Sequence, residues 1–107
     1  AIYFMNRQKH VLCEKPLCLS ISEAREMIET AEKTGVVFTM ATKFRYCEDV
    51  VKAKAILASG VLGEIIQFEN AFTAKVDMSR RWNSNREVAG GGVLIDNGTH
   101  SVDIIRY

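Results

Sequence analysis

Apolar positions along the chain fall into short runs whose spacing changes as the sequence proceeds. The first eight residues, with Ile2, Tyr3, Phe4 and Met5 among them, read as the tail of a helix, and His10-Val-Leu-Cys13 is a short apolar run of the kind a buried parallel strand uses. Ser20-Ile-Ser-Glu23 has the Ser-x-x-Glu form of a capping box, in which hydroxyl and carboxylate satisfy N–H groups that a helix start leaves orphaned. Ala24, Met27, Ile28 and Ala31 follow at the i, i+3, i+4, i+7 spacing of one helical face, and Gly35 supplies the stop. Val36 to Ala41 is β-branched and apolar, as a second buried strand would be. Strand, capped helix, strand is a βαβ unit, so this first part reads as a piece of a doubly wound parallel sheet with a right-handed crossover.

From position 43 the pattern changes. Lys43-Phe-Arg-Tyr46 is a charged, aromatic junction, after which Asp49 is expected to cap a helix bearing Val50, Ala53, Ile56 and Leu57, ended by Ser59-Gly60. Residues 64–72 alternate, with Ile66, Phe68 and Phe72 on one face and Gln67 and Glu69 on the other, which predicts a strand covered on one side only. The change from a sheet buried on both faces to one buried on a single face predicts a domain boundary near residues 42–46. Residues 75–92 are expected to form a long polar loop containing Trp82 and ending in Gly90-Gly-Gly92. The segment from Val93 to Tyr107 supports two readings. Asn97-Gly98 between apolar runs is the strongest short hairpin signal. On helical geometry, by contrast, Asp96, His100 and Asp103 share one narrow wedge, opposite Leu94, Gly98, Ser101 and Ile105. Gly98 would cost that helix about 1 kcal/mol relative to Ala, so it would call for a close-packing reason. Spacing and propensity leave the two readings level.

Composition narrows the function classes. Hydrophobic residues at 48% and charged residues at 25% match an ordinary globular protein, and fourteen Lys+Arg against thirteen Asp+Glu give no basic footprint for nucleic acid or membrane. No apolar run approaches the ~18 residues of a membrane span. Three cysteines without a CxxC pair fit a reducing, cytoplasmic setting; His10 and Cys13 have a ligand-like spacing with Cys18 nearby, but Cys13 sits in the apolar run Val11-Leu-Cys13, so buried thiols are the better reading and no metal site is expected. Charge follows the first apolar stretch instead of preceding it, so no targeting segment is expected, and a start inside an element predicts a fragment.

Three places could carry chemistry. Glu14-Lys-Pro16 follows the first strand, where open α/β sheets place ligands, and Pro16 makes a stiff support for the Lys15 ammonium; a solvated loop lysine is the bland alternative. Asp96 and His100 would meet one helical turn apart and could share a substrate hydroxyl or a proton, against the alternative of a solvated polar face. Gly90-Gly-Gly92 could cradle an anion before a helix or simply permit a tight crossing.

Taken in order, Lys9-His-Val-Leu-Cys-Glu-Lys-Pro-Leu17, Glu23-Ala-Arg25, Gly60-x-x-Gly63-Glu-Ile65 and Gly90-Gly-Gly-Val-Leu-Ile-Asp-Asn-Gly-Thr-His-Ser-Val-Asp103 resemble the glucose-fructose oxidoreductase, inositol dehydrogenase and rhizopine-catabolism family. The resemblance implies an α/β fold: the C-terminal part of a Rossmann sheet in residues 1–42, joined to the start of a substrate-binding α/β domain with a large open sheet in residues 43–107. It implies NAD or NADP as cofactor, a sugar or polyol substrate, and a homo-oligomeric full-length parent. It also implies that the segment after the glycine triplet is a helix, which decides against the hairpin. By the same resemblance Lys15, Asp96 and His100 are catalytic, and Glu14, Lys15, Pro16, Arg45 and Trp82 are cofactor contacts. No GxGxxG occurs, so the Rossmann phosphate turn is not in this sequence. Two other classes stand beside the enzyme: a catalytically silent cofactor-sensing regulator of the same fold, and a small anion-binding module resting on the glycine triplet.

Overall fold

The computed structural model describes residues 1–107, which divide into two compact units, Ala1–Thr42 and Lys43–Tyr107. In the first, a short helix α1 (Ile2–Met5) packs against the long helix α2 (Ile21–Thr34), and Met5 is the one fully buried apolar side chain. Strand β1 (Val11–Cys13) precedes α2 and β2 (Phe38–Met40) follows it. The strands pair in parallel, with Val11 opposite Phe38, Leu12 opposite Thr39 and Cys13 opposite Met40. The His10 side chain extends the pairing by one position, since its Nδ1 accepts the Val37 N–H at 2.9 Å.

Local chemistry accounts for α2. Ser20 accepts the Glu23 N–H, the Glu23 carboxylate accepts back from Ser20 N–H, and Gly35 ends the helix in the left-handed conformation at φ 68°. The two-faced burial expected of the strands is not found. Val11, Cys13, Phe38 and Met40 are half-buried while Leu12 and Thr39 on the other face are exposed, because a single crossover helix can shield only one side of a sheet.

The second unit is helical. A 3₁₀ turn (Phe44–Tyr46) leads into α3 (Glu48–Ala58), whose N-cap is Cys47, so that Asp49 lies inside the first turn rather than capping it. An acidic first turn still complements the helix dipole. Gly60 and Gly63 then make a turn at positive φ. Residues 64–72 form no strand, contrary to their alternation: a strand's N–H and C=O groups need a neighbouring strand, and residues 43–107 contain no other. The expected polar loop carries a 3₁₀ turn (Trp82–Ser84) and a short helix α4 (Arg86–Ala89), capped by Asn85 and ended by Gly90 at φ 66°. Leu94–Gly98 is a π-helical turn that runs straight into α5 (Thr99–Arg106), so the Asn97-Gly98 hairpin does not form. No helix is long and apolar enough to cross a membrane.

Candidate functional site

The π turn and α5 carry two of the expected catalytic residues. Asp96 lies in the π turn, half-buried, and His100 one turn later on α5, 5% exposed. Buried polar groups face inward here while Leu94, Val102 and Ile105 are exposed, the reverse of an ordinary amphipathic surface helix. Such an inversion holds polar side chains in a low-dielectric setting, where their hydrogen bonds are strengthened. The Asn83 amide Nδ2 donates to Asp96 Oδ2 at 2.9 Å. The His100 ring stands edge-on to Phe44, centroids 4.7 Å apart, with Phe72 6.3 Å away. Ser101 Oγ and Asn70 Oδ1, 2.7 Å apart, tie α5 to the segment of residues 64–72.

The glycine triplet shapes the approach to this helix. Gly90 ends α4, and the Gly92 carbonyl accepts from Ile95 N–H at 3.1 Å and Asp96 N–H at 3.3 Å. A Cβ on Gly91 would lie 2.5 Å from Ile95 Cδ1 and 2.9 Å from its Cγ1, so a side chain there would force Ile95 to move. Gly98 is different: a Cβ would meet only Leu94, at an ordinary 3.6 Å, and the close-packing reason expected for it is not present.

In the first unit, Glu14, Lys15 and Pro16 follow the carboxyl end of β1. The Lys15–Pro16 peptide is cis, and the Glu14 carboxylate accepts the Lys15 N–H at 3.1 Å. Lys15 and Pro16 are half-buried and Glu14 exposed. A cavity of about 340 Å³ in this unit, lined by residues such as Tyr3, Leu17, Cys18 and Met27, takes in none of the expected site residues.

Two cofactor expectations meet unequal surroundings. Trp82 is exposed at 65% and opens its 3₁₀ turn beside Asn83. Arg45 is bound up within the second unit: its Nε donates to Asp103 Oδ2 at 3.1 Å and its Nη2 to Asp103 Oδ1. The bond to Asp103 holds the Arg45 pKa above its ordinary value. Asn83 and Asp103 are the residues that the sequence reading did not place in the site. Asp103 was visible in the same wedge as Asp96 and His100, but its partner stands 58 positions earlier. Asn83 gave no signal beyond its place next to Trp82.

Residues 1–42 thus carry a parallel β-α-β unit, and a glycine triplet in the second unit leads into a helix on which His100 is buried and Asp96 half-buried. Residues 1–42 match the model of the oxidoreductase family with an NAD-binding Rossmann fold, and residues 50–107 match the GFO/IDH/MocA C-terminal domain. The chain belongs to the GFO/IDH/MocA oxidoreductase family. Among curated relatives it is 36% identical to the D-glucoside 3-dehydrogenase of Escherichia coli (strain K12) over 105 residues, covering 92% of this chain and 28% of the relative. It is 32% identical to the glucose-6-phosphate 3-dehydrogenase of Bacillus subtilis (strain 168), over 100% of this chain and 32% of that protein. It is 30% identical to the levoglucosan dehydrogenase of Pseudarthrobacter phenanthrenivorans over 92% of this chain and 26% of the relative. The chain thus spans about a quarter to a third of the length of these relatives.

Proposed function

We propose that this chain is part of a nicotinamide-dependent dehydrogenase or reductase acting on a secondary alcohol of a sugar or polyol. In this reading residues 1–42 are the C-terminal part of the dinucleotide-binding domain and residues 43–107 the start of the substrate-binding domain. The observation that carries it is the helix after the glycine triplet, which turns Asp96 and His100 inward instead of presenting them as a solvated face. The family match over both parts of the chain supports it.

The residues fit a nicotinamide in part. Glu14, Lys15 and Pro16 follow the carboxyl end of a parallel strand, where doubly wound folds bind dinucleotides, and Trp82 offers an exposed ring. NAD or NADP, when bound, supplies the hydride acceptor or donor. The chain's own side chains handle the proton and the charge. As a secondary alcohol becomes a carbonyl, His100 takes the hydroxyl proton, the general-base task that imidazole side chains most often perform. The Lys15 ammonium stabilises the developing alkoxide. Asp96, steadied by Asn83, orients the substrate hydroxyl and the imidazole. Turnover of a panel of sugars and polyols by the intact protein with NAD and NADP tests the reading. Oxidation or reduction of at least one of them is expected, and cofactor binding without any turnover would move the assignment to a cofactor-sensing regulator.

A further inference from the structure

Arg45 and Asp103 stand 58 positions apart and meet through two hydrogen bonds, Nε to Oδ2 at 3.1 Å and Nη2 to Oδ1. The carboxylate is 8% exposed. A guanidinium fork on a carboxylate fixes orientation as well as distance, which a lysine ammonium cannot do, and a buried carboxylate is not easily left without its cation. Asp103 lies on α5 three residues beyond His100, so what holds Asp103 holds the turn that carries the imidazole. The residue before Arg45 grips the same helix: Phe44 meets the His100 ring at 4.7 Å and 85°, with Phe72 packed on Phe44 at 5.1 Å. Tyr107 receives the Arg45 guanidinium at 5.2 Å and the Lys54 ammonium at 3.6 Å, which brings α3 into the same seam. One 3₁₀ turn therefore holds α5 at two adjacent points, an aromatic one on His100 and an ionic one on Asp103.

We propose that Arg45 and Asp103 are positioning residues for His100: their ion pair fixes the rotation of α5 that keeps the imidazole seated on Phe44, and Arg45 is not a cofactor contact. Side chains stand ~5–6 Å from a helix axis, so a rotation of only 20° carries the imidazole roughly 2 Å. A misplacement of about 1 Å is enough to cost on the order of 10²-fold in rate. The kinetic part of this inference rests on the catalytic assignment of His100 made above, whereas the seating of the ring does not.

The test therefore has two arms on the intact protein. In the first, histidines carrying ¹³C are followed by NMR, where the neighbouring Phe44 ring displaces the His100 imidazole resonances. Arg45→Leu and Asp103→Asn are each expected to shift these resonances toward ordinary histidine positions while the His10 signals stay in place. Arg45→Lys, which keeps the charge and loses the fork, is the milder variant should the others unfold, and it is expected to give an intermediate shift. In the second arm, each single variant lowers kcat by about 10- to 100-fold, with the cofactor Kd unchanged within about twofold. The double variant is no worse than the worse single one, as expected for residues acting as a unit. Unmoved His100 resonances in folded variants would overturn the inference, as would a raised cofactor Kd with kcat retained, or additive losses in the double variant. Should the wild-type protein turn over no substrate, the proposed function fails while the NMR arm still decides the positioning role.

Discussion

The Asn83 amide reaches 13 residues along the chain to hold one oxygen of the Asp96 carboxylate at 2.9 Å. Hydrogen bonds to charged groups contribute roughly 1.5–3 kcal/mol, and the half-buried setting puts this one toward the low end. Asn83→Ala is accordingly expected to lower kcat/KM about 10-fold, with KM rising as well as kcat falling, because a carboxylate that orients substrate is felt in the ground state too. Steady-state kinetics on the intact enzyme checks this, and an effect on cofactor affinity alone would contradict it. In the first unit Glu23 offers a pH-dependent counterpart. The N–H groups of Leu19 and Ser20 donate to its carboxylate and hold its pKa below the ordinary value. A group whose folded pKa is depressed contributes stability above its unfolded pKa and loses it as pH falls through the folded one. Helix α2 should thus lose stability in acid, below the usual carboxylate range. Thermal melts followed by circular dichroism as a function of pH should show this loss, reduced in Glu23→Gln.

Helix α2 and the segment after the glycine triplet mark the two ends of what the sequence reveals about elements. All the signals for α2 are local: a capping box, a 3.6-residue apolar period and a glycine stop lie within a few residues of the bonds they specify. The segment of residues 93–106 carries contradictory local signals, because Asn-Gly favours a hairpin while the Asp-His-Asp spacing favours a helix. The family resemblance separated them, and the helix formed begins with a π turn that no α-helical period would foresee. Residues 64–72 mislead for a different reason, since alternation describes which faces are apolar but not whether a partner strand is there to pair with. The Arg45–Asp103 pair was invisible because nothing in either residue's neighbourhood names the other. The glycines give this level its test. Gly91→Ala would press on Ile95, the residue before Asp96 in the π turn, and should cost about 1–3 kcal/mol of stability along with activity. Gly92→Ala meets nothing within 4 Å and should be tolerated. Gly98, helical at φ −60° and open to a Cβ, should gain up to about 1 kcal/mol as Ala. Melting temperatures of the three variants in that order test whether Gly91 is the least tolerant of a side chain.

Across the whole molecule, many large apolar side chains are exposed. Leu12 on the open face of the sheet, Ile66 at 95% and Leu94 at 81% exposure are among them, and exposed patches of this kind drive association. The 107 residues expressed alone should bind a hydrophobic dye such as ANS and self-associate on size exclusion. A monodisperse monomer with a cooperative melt would contradict that expectation. The central proposal is that Lys15, Asp96 and His100 perform proton and charge management for a nicotinamide-dependent sugar or polyol oxidoreductase, and His100 is where it is tested most sharply. The most direct measurement is kcat of His100→Ala in the intact enzyme, on its best substrate and with the cofactor saturating. A fall of 10²-fold or more is predicted, since general acid–base groups contribute on the order of 10²–10⁴, with cofactor Kd changed by less than about threefold. A kcat equal to that of the wild type would remove His100 from the chemistry and contradict the account.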